Sequence, residues 1–221
     1  KPMKPEIDGY TFDNEWYTDP SCKAEYKWTF GTGTDADKVT KDMILYGKLV
    51  KKTYQITYNL NVPKVNETEV GTVPGWTDGT TTTKNHGEPA KLVDTTPTLE
   101  GYVFKGWATS KDGPVAYQPG GQYLNDADLT LWAVWAKKTF TVTVSSGAGY
   151  STVPAGVNTV AHGDTFKLKI RVERQYAATR PTVTVTQKTA NGTWVDNAGA
   201  LSNEPTSNFH AVTYTYTVSN I

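Results

Sequence analysis

The chain writes one passage twice. It reads GYTFDNEWYTDPS from Gly9 and GYVFKGWATSKDG from Gly101. The agreement extends downstream. Leu45-Tyr46 and Lys51-Lys52-Thr53-Tyr54 are answered by Leu131-Trp132 and Lys137-Lys138-Thr139-Phe140, in the same order and at similar spacing. Self-similarity over so long a period marks a repeat array. The shared positions are aromatic or aliphatic while the polar positions vary, so the passage mostly encodes a core. Tyr10, Phe12 and Trp16 of the first copy, and Tyr102, Phe104, Trp107, Leu131 and Trp135 of the second, are the expected core residues. Removing one such Trp from so small a unit should cost ~3–5 kcal/mol.

Alternation with a period of two identifies the strands. Tyr54, Ile56, Tyr58 and Leu60 alternate with Thr53, Gln55, Thr57 and Asn59, as expected for a strand with one buried face. Phe140, Val142 and Val144 alternate with threonines in the same way. DLTLWAVW, residues 128–135, is apolar on both faces and reads as a central strand. The long polar stretch 61–91 reads as a loop with room for a short helix or hairpin. After about residue 137 the vocabulary changes. Phe166, Leu168, Ile170 and Val172 share one face, as do Val212, Tyr214, Tyr216 and Val218, and Gly, Asn and Pro turns separate the strands. The abundance of Thr, Val, Tyr and Trp favours strands throughout.

Composition narrows the function. The 221 residues carry 22 basic and 22 acidic side chains, which gives no net field to draw nucleic acid. No apolar run approaches the roughly 20 residues of a membrane helix, so membrane insertion is not expected. The opening KPMKPEIDGY has no apolar stretch of a signal peptide. The single cysteine, Cys22, excludes an internal disulfide. Such scarcity fits exported proteins of Gram-positive cells, and a cytosolic origin stays open.

Catalytic signals are weak. His86, His162 and His210 are far apart in sequence and read as solvated loop residues. Neither a His-Glu-x-x-His helix nor a Gly-x-Ser-x-Gly turn occurs. No catalytic residue, cofactor or metal site is expected. Asp35 and Asp37 lie in an acidic loop without EF-hand spacing. Trp28, Trp76 and Trp194 fall outside the repeated core words. Trp76, in TVPGWTDGTTTTKN, is the foremost candidate for stacking on a sugar or anchoring a partner, and it could equally tuck back over the sheet. A Lys–Asn or Lys–Asp isopeptide bond is a further option, with no pair named by the sequence.

Three blocks in order, TYQITYNLN, PTLEGYVFKGWATS and DLTLWAVW, resemble the Listeria–Bacteroides repeat, the B-repeat of internalin-type surface proteins. The resemblance covers residues 53–136 as a whole unit. The first copy lacks the opening strand and reads DNEW where the second has KGW. The closing region, with FTVTVSSGAGY, HGDTFKLKI and YTVSNI, resembles a companion repeat of Firmicutes surface proteins. The resemblance implies a mostly β protein with three parts. Residues 1–51 form a partial repeat lacking its first strand, 52–137 a complete β-grasp-like repeat with a helix or loop across its sheet, and 138–221 a small all-β domain. These would be elongated, with short linkers. It further implies a non-catalytic segment of a bacterial cell-surface protein, a stalk or spacer in adhesion. Two other readings stay open. One is a module that binds a host glycoprotein, mucin or polysaccharide through Trp76, Trp28 or Trp194. The other is an enzyme with an unrecognised site. The missing strand leaves a sheet edge suited to end-to-end self-association.

Overall fold

Threonine-rich alternation produces strands almost everywhere. The computed structural model describes residues 2–145 and 147–176. It also describes the strand segments 186–188, 194–196, 200–201, 206–207 and 211–218. Among these residues there is no α-helix, only two short 3-10 turns, Ala24–Tyr26 and Arg174–Tyr176. The chain forms two compact units. One comprises Lys1–Pro97 with Phe104–Val134, and the other Thr98–Val103 with Trp135–Ile221.

In chain order, the first strands are β1 (Tyr10–Tyr17), β2 (Tyr46–Lys51), β3 (Thr53–Asn59), β4 (Lys64–Val65) and β5 (Thr68–Glu69). They are followed by β6 (Thr80–Asn85), β7 (Ala90–Lys91), β8 (Tyr102–Ala108), β9 (Gln122–Tyr123) and β10 (Leu129–Lys137). Four of these strands form a mixed sheet in the order β6-β3-β10-β8. β3 and β10 run parallel in its centre, with Leu129 opposite Ile56 and Leu131 opposite Tyr58. The doubly apolar DLTLWAVW segment is therefore a central strand, as its sequence requires. The element crossing the sheet is a loop rather than a helix. It carries the small β4–β5 hairpin and then Trp76.

Alternation explains the core. Ile56 and Tyr58 point inward from β3, and Leu131 and Ala133 from β10, all fully buried. Trp107 is 0 % exposed and forms the hub of an aromatic cluster. Tyr58 lies 5.0 Å away ring to ring, Phe104 5.1 Å and Trp76 5.5 Å. The buried Tyr58 hydroxyl accepts the Val93 amide at 3.0 Å, as a buried phenol requires.

The first copy of the passage carries the antiparallel pair β1–β2. Its DNEW sequence inserts one residue relative to KGW, and the ladder shifts register between Phe12 and Trp16. The glycine of the second copy is replaced by a bulge. Asn14 takes a left-handed φ of +68°, a conformation asparagine tolerates, and the Asp13 carboxylate accepts the Glu15 amide at 2.9 Å.

In the second unit, β11 (Thr139–Val144) pairs with β13 (Gly156–Ala161). β12 (Tyr150–Val153) pairs with β14 (Phe166–Glu173), which pairs in turn with β19 (Ala211–Val218). The short strands β15 (Thr186–Lys188) and β16 (Trp194–Asp196) pair together, while β17 (Ala200–Leu201) and β18 (Thr206–Ser207) both line β19. Leu168, Ile170 and Val172 face Tyr214, Tyr216 and Val218 in one buried cluster. The alternation in DTFKLKIRVE and AVTYTYTVSNI is thus realised as two neighbouring strands.

Candidate functional site

The repeated passage ends in a repeated junction. β2 and β3 are separated by a single residue, Lys52, and β10 and β11 by its counterpart Lys138. The Lys52 amide donates to the Gly9 carbonyl at 2.8 Å, one step beyond the Tyr10–Lys51 pair of the β1–β2 ladder. The Lys52 carbonyl accepts the His86 amide at 2.9 Å, one step beyond the Thr53–Asn85 pair of the β3–β6 ladder. One residue therefore ends one ladder and starts the next, with both backbone groups satisfied. The second junction repeats this. Lys138 donates to Gly101 at 2.9 Å and accepts from His162 at 2.8 Å.

Side chains close the same clasp twice. Gly9 and Gly101 have φ of +76° and +72°, a left-handed conformation suited to glycine. A Cβ on either would lie 1.9 Å from the Cδ2 of His86 or His162. Each imidazole thus occupies the space that only a glycine leaves free. Each also leans on the aromatic residue two positions after the junction lysine, Tyr54 at 6.3 Å between ring centroids and Phe140 at 6.2 Å. Lys51 reaches Glu88 at 2.6 Å and Lys137 reaches Asp164 at 3.2 Å, in both cases an acid two residues past the histidine. The Glu88 carboxyl sits below the usual carboxylate range, chiefly through the hydrogen bond from Lys51, and the same contact raises Lys51.

The histidines read from sequence as solvated loop residues are therefore half-buried packing elements; His210 lies outside the described residues. The signal was present as His86-Gly87-Glu88 and His162-Gly163-Asp164, each downstream of a Lys-Lys-Thr-aromatic word. It was hidden because the distance from junction to histidine differs between copies.

The first clasp has an addition. Lys84, at an inward position of β6, is 1 % exposed. Its ammonium bonds Asp126 at 2.5 Å and the Asn85 carbonyl at 3.1 Å, with the Tyr54 ring 5.6 Å away. Asp126 also accepts the Gly87 amide at 2.9 Å and contacts His86 Nδ1 at 3.1 Å. The Lys84 ammonium first, and the Gly87 amide second, hold the Asp126 carboxyl below its ordinary range. Tyr54 Oη lies 3.2 Å from the same His86 Nδ1.

The tryptophans outside the repeated words have separate settings. Trp76 is half-buried and packs 6.0 Å from the Tyr58 ring and 5.5 Å from Trp107. Trp28 is half-buried beside Phe30, at 6.5 Å. Trp194 lies in β16, and its side chain is outside the described residues. Of the expected core residues, Phe12, Trp107 and Leu131 are buried. Trp16, Tyr102, Phe104 and Trp135 are half-buried, and Tyr10 is 37 % exposed. In the acidic loop, Asp37 accepts the Thr29 amide at 2.6 Å. Cys22 is half-buried, with its Sγ 3.6 Å from the Pro20 carbonyl.

The sequence pattern of the Listeria-Bacteroides repeat domain matches residues 1–48 and 54–134, and the chain belongs to that family. Internalin H of Listeria monocytogenes is 27 % identical over 139 residues, 62 % of this chain and 21 % of that protein. A protein of Evansella cellulosilytica named "Putative membrane protein" is 28 % identical over 138 residues, 62 % of this chain and 18 % of its own length. The chain thus spans about a fifth of the length of these curated relatives. No solved structure matches it. Among the described residues, no helix is long and apolar enough to cross a membrane.

Proposed function

We propose that this chain is a non-catalytic stalk segment of an exported bacterial surface protein, in which repeats are strung together by the glycine–histidine clasp. The observation that carries the reading is the clasp's duplication. Two junctions use the same backbone bonds, the same left-handed glycine, the same imidazole packing and the same lysine–acid pair. A part that recurs at each junction serves the array, whereas a catalytic or recognition site would belong to one unit. The names of the relatives, an internalin and a membrane protein, support placement at the cell surface. In this reading, the single-residue linkers Lys52 and Lys138 limit the freedom between successive elements, which is what a spacer needs to hold a head at a distance.

Paired spin labels test the reading. With Cys22→Ser in place, Thr11→Cys on β1 and Thr81→Cys on β6 put labels on either side of the first clasp, at exposed sites. The stalk reading expects a narrow distance distribution that broadens with Gly9→Ala. A broad distribution in the unaltered clasp would refute it. A parallel screen of the immobilised chain against mucins, polysaccharides and matrix proteins should be silent. A saturable ligand would replace the spacer with a recognition module.

A further inference from the structure

The second unit carries a line of positive charge along the middle of a sheet. β14 lies between β12 and β19. Its side chains alternate strictly. Leu168, Ile170 and Val172 are buried on one face, while Lys167, Lys169 and Arg171 are exposed on the other. Side chains two residues apart on a strand stand about 6.7 Å from one another, so the three cations form a straight, evenly spaced row.

The row does not serve the fold. Opposite charges across a ladder stabilise a sheet, and no acid faces these cations. On β19 the ladder sets Thr217, Thr215 and Thr213 opposite Lys167, Lys169 and Arg171. On β12 it sets Val153 opposite Lys169 and the exposed Ser151 opposite Arg171. Glu173, next on the same face of β14, closes the row at one end and accepts from the Gln175 amide at 3.1 Å. Among the described residues the three cations form no ion pair, whereas Lys51, Lys84, Lys91 and Lys137 each hold a carboxylate. The spacing is shorter than the screening length of about 8 Å at physiological salt, so neighbouring cations repel. The chain as a whole has no net charge, which makes the row a local feature.

We infer that this open face of β12, β14 and β19 docks a linear phosphodiester polymer, a polyol phosphate with one charge on each short repeat. Charge complementarity selects an anion, and the straight row selects an extended one with regularly spaced charges. Phosphate fits the donors present. The Arg171 fork and the two lysine ammoniums are strong phosphate partners, and the flanking serine and threonine hydroxyls donate to phosphate oxygens. The described registers of this face carry no aromatic ring, so a nucleic acid base has no platform to stack on and neither has a sugar ring. The contact would fasten the chain sideways along the polymer and leave the clasps untouched.

The test is a titration of end-labelled poly(glycerol phosphate) with the full chain, read by fluorescence anisotropy. Each phosphate contact on a single-stranded polyanion contributes about 0.7 to the salt slope, so three contacts should give a slope of about −2. Raising salt from about 50 to 200 mM should then weaken binding roughly 20-fold. The triple variant Lys167→Gln, Lys169→Gln, Arg171→Gln should lose binding, and Lys169→Gln alone should reduce the slope by about a third. The same charge removed elsewhere, by Lys38→Gln, Lys41→Gln and Lys111→Gln at exposed sites, should leave binding unchanged. Spin-label distances across the first clasp should be the same with and without polymer, so this inference and the stalk reading fail separately. No binding at low salt would overturn the inference, as would equal losses in the two triple variants. Tighter binding of heparin or of an oligothymidylate of equal charge would overturn the assignment to a polyol phosphate.

Discussion

The clasp makes a quantitative claim about Gly101. Alanine there must adopt a φ of +72°, which costs ~1–2 kcal/mol for a residue with a Cβ. That Cβ would also stand 1.9 Å from His162 Cδ2, and forcing an atom into an occupied site costs a further ~1–3 kcal/mol. Gly101→Ala should therefore destabilise the junction by ~2–5 kcal/mol. The two contributions separate experimentally. In a His162→Ala background the ring is gone, and only the backbone contribution of ~1–2 kcal/mol should remain. The coupling between the two sites is then ~1–3 kcal/mol, measurable as a double-mutant cycle.

The assay is amide exchange at Lys138 and His162, whose N–H groups donate to Gly101 and Lys138 across the clasp. Exchange reads local opening without assuming that the whole chain unfolds in one step. Each 1.4 kcal/mol is about tenfold in the opening equilibrium, so Gly101→Ala should accelerate these two amides by more than tenfold. Asparagine, which tolerates the left-handed region, should be milder than alanine in the His162→Ala background. A coupling below ~0.5 kcal/mol would refute the reasoning, because the imidazole would then be free to swing away and the glycine would be needed for its backbone alone.

Other outcomes follow from the same structure. Asp126→Asn should lower the urea midpoint more than Lys84→Met does. The first strands a buried ammonium, whereas the second replaces it with an apolar chain of similar length; the reverse order would show that Lys84 is solvated. With Lys84 and Asp126 joined by their ion pair alone, the intact mass should equal that of the sequence. A mass lighter by one water would instead mean an amide between them. Trp76→Ala should cost ~2–3 kcal/mol, somewhat less than a fully buried ring, and more than Trp28→Ala in a denaturant titration. Asp126 and Glu88 have depressed pKa values in the folded chain, so their stabilisation is present above the unfolded carboxylate range near ~4 and is lost as pH falls through the folded values. Lys51 is raised, so its share is present below ~10 and is lost as pH climbs through the folded value. Thermal melts should fall at both ends, and Glu88→Gln should flatten the acid limb; an unchanged limb would mean that the pair is fully screened.

The fold was legible in the sequence to the extent that one face of each strand is buried. The alternation of Ile56 and Tyr58, or of Leu168 and Ile170, dictates a strand whatever its neighbours are. Partner choice is not written locally. Nothing in TYQITYNL says that it lies parallel to DLTLWAVW, because a strand's own pattern fixes which face is wet and leaves open which edge is paired. Lys84 is the sharpest case. Its position on β6 calls for an apolar residue, and its burial makes sense only once Asp126, distant in sequence, is brought against it. The clasp was legible in principle, since every component occurs twice. It required reading Gly9, Lys52 and His86 as one unit, although the backbone bonds that tie the three together do not depend on side-chain identity. The glycine is the exception. Its side chain is absent because the histidine is present, and that mutual exclusion is the one part of the junction that sequence must preserve. Any further repeat joined in this way should carry glycine ahead of its aromatic block and histidine in the element that follows, with substitutions at one tolerated only with loss of the other.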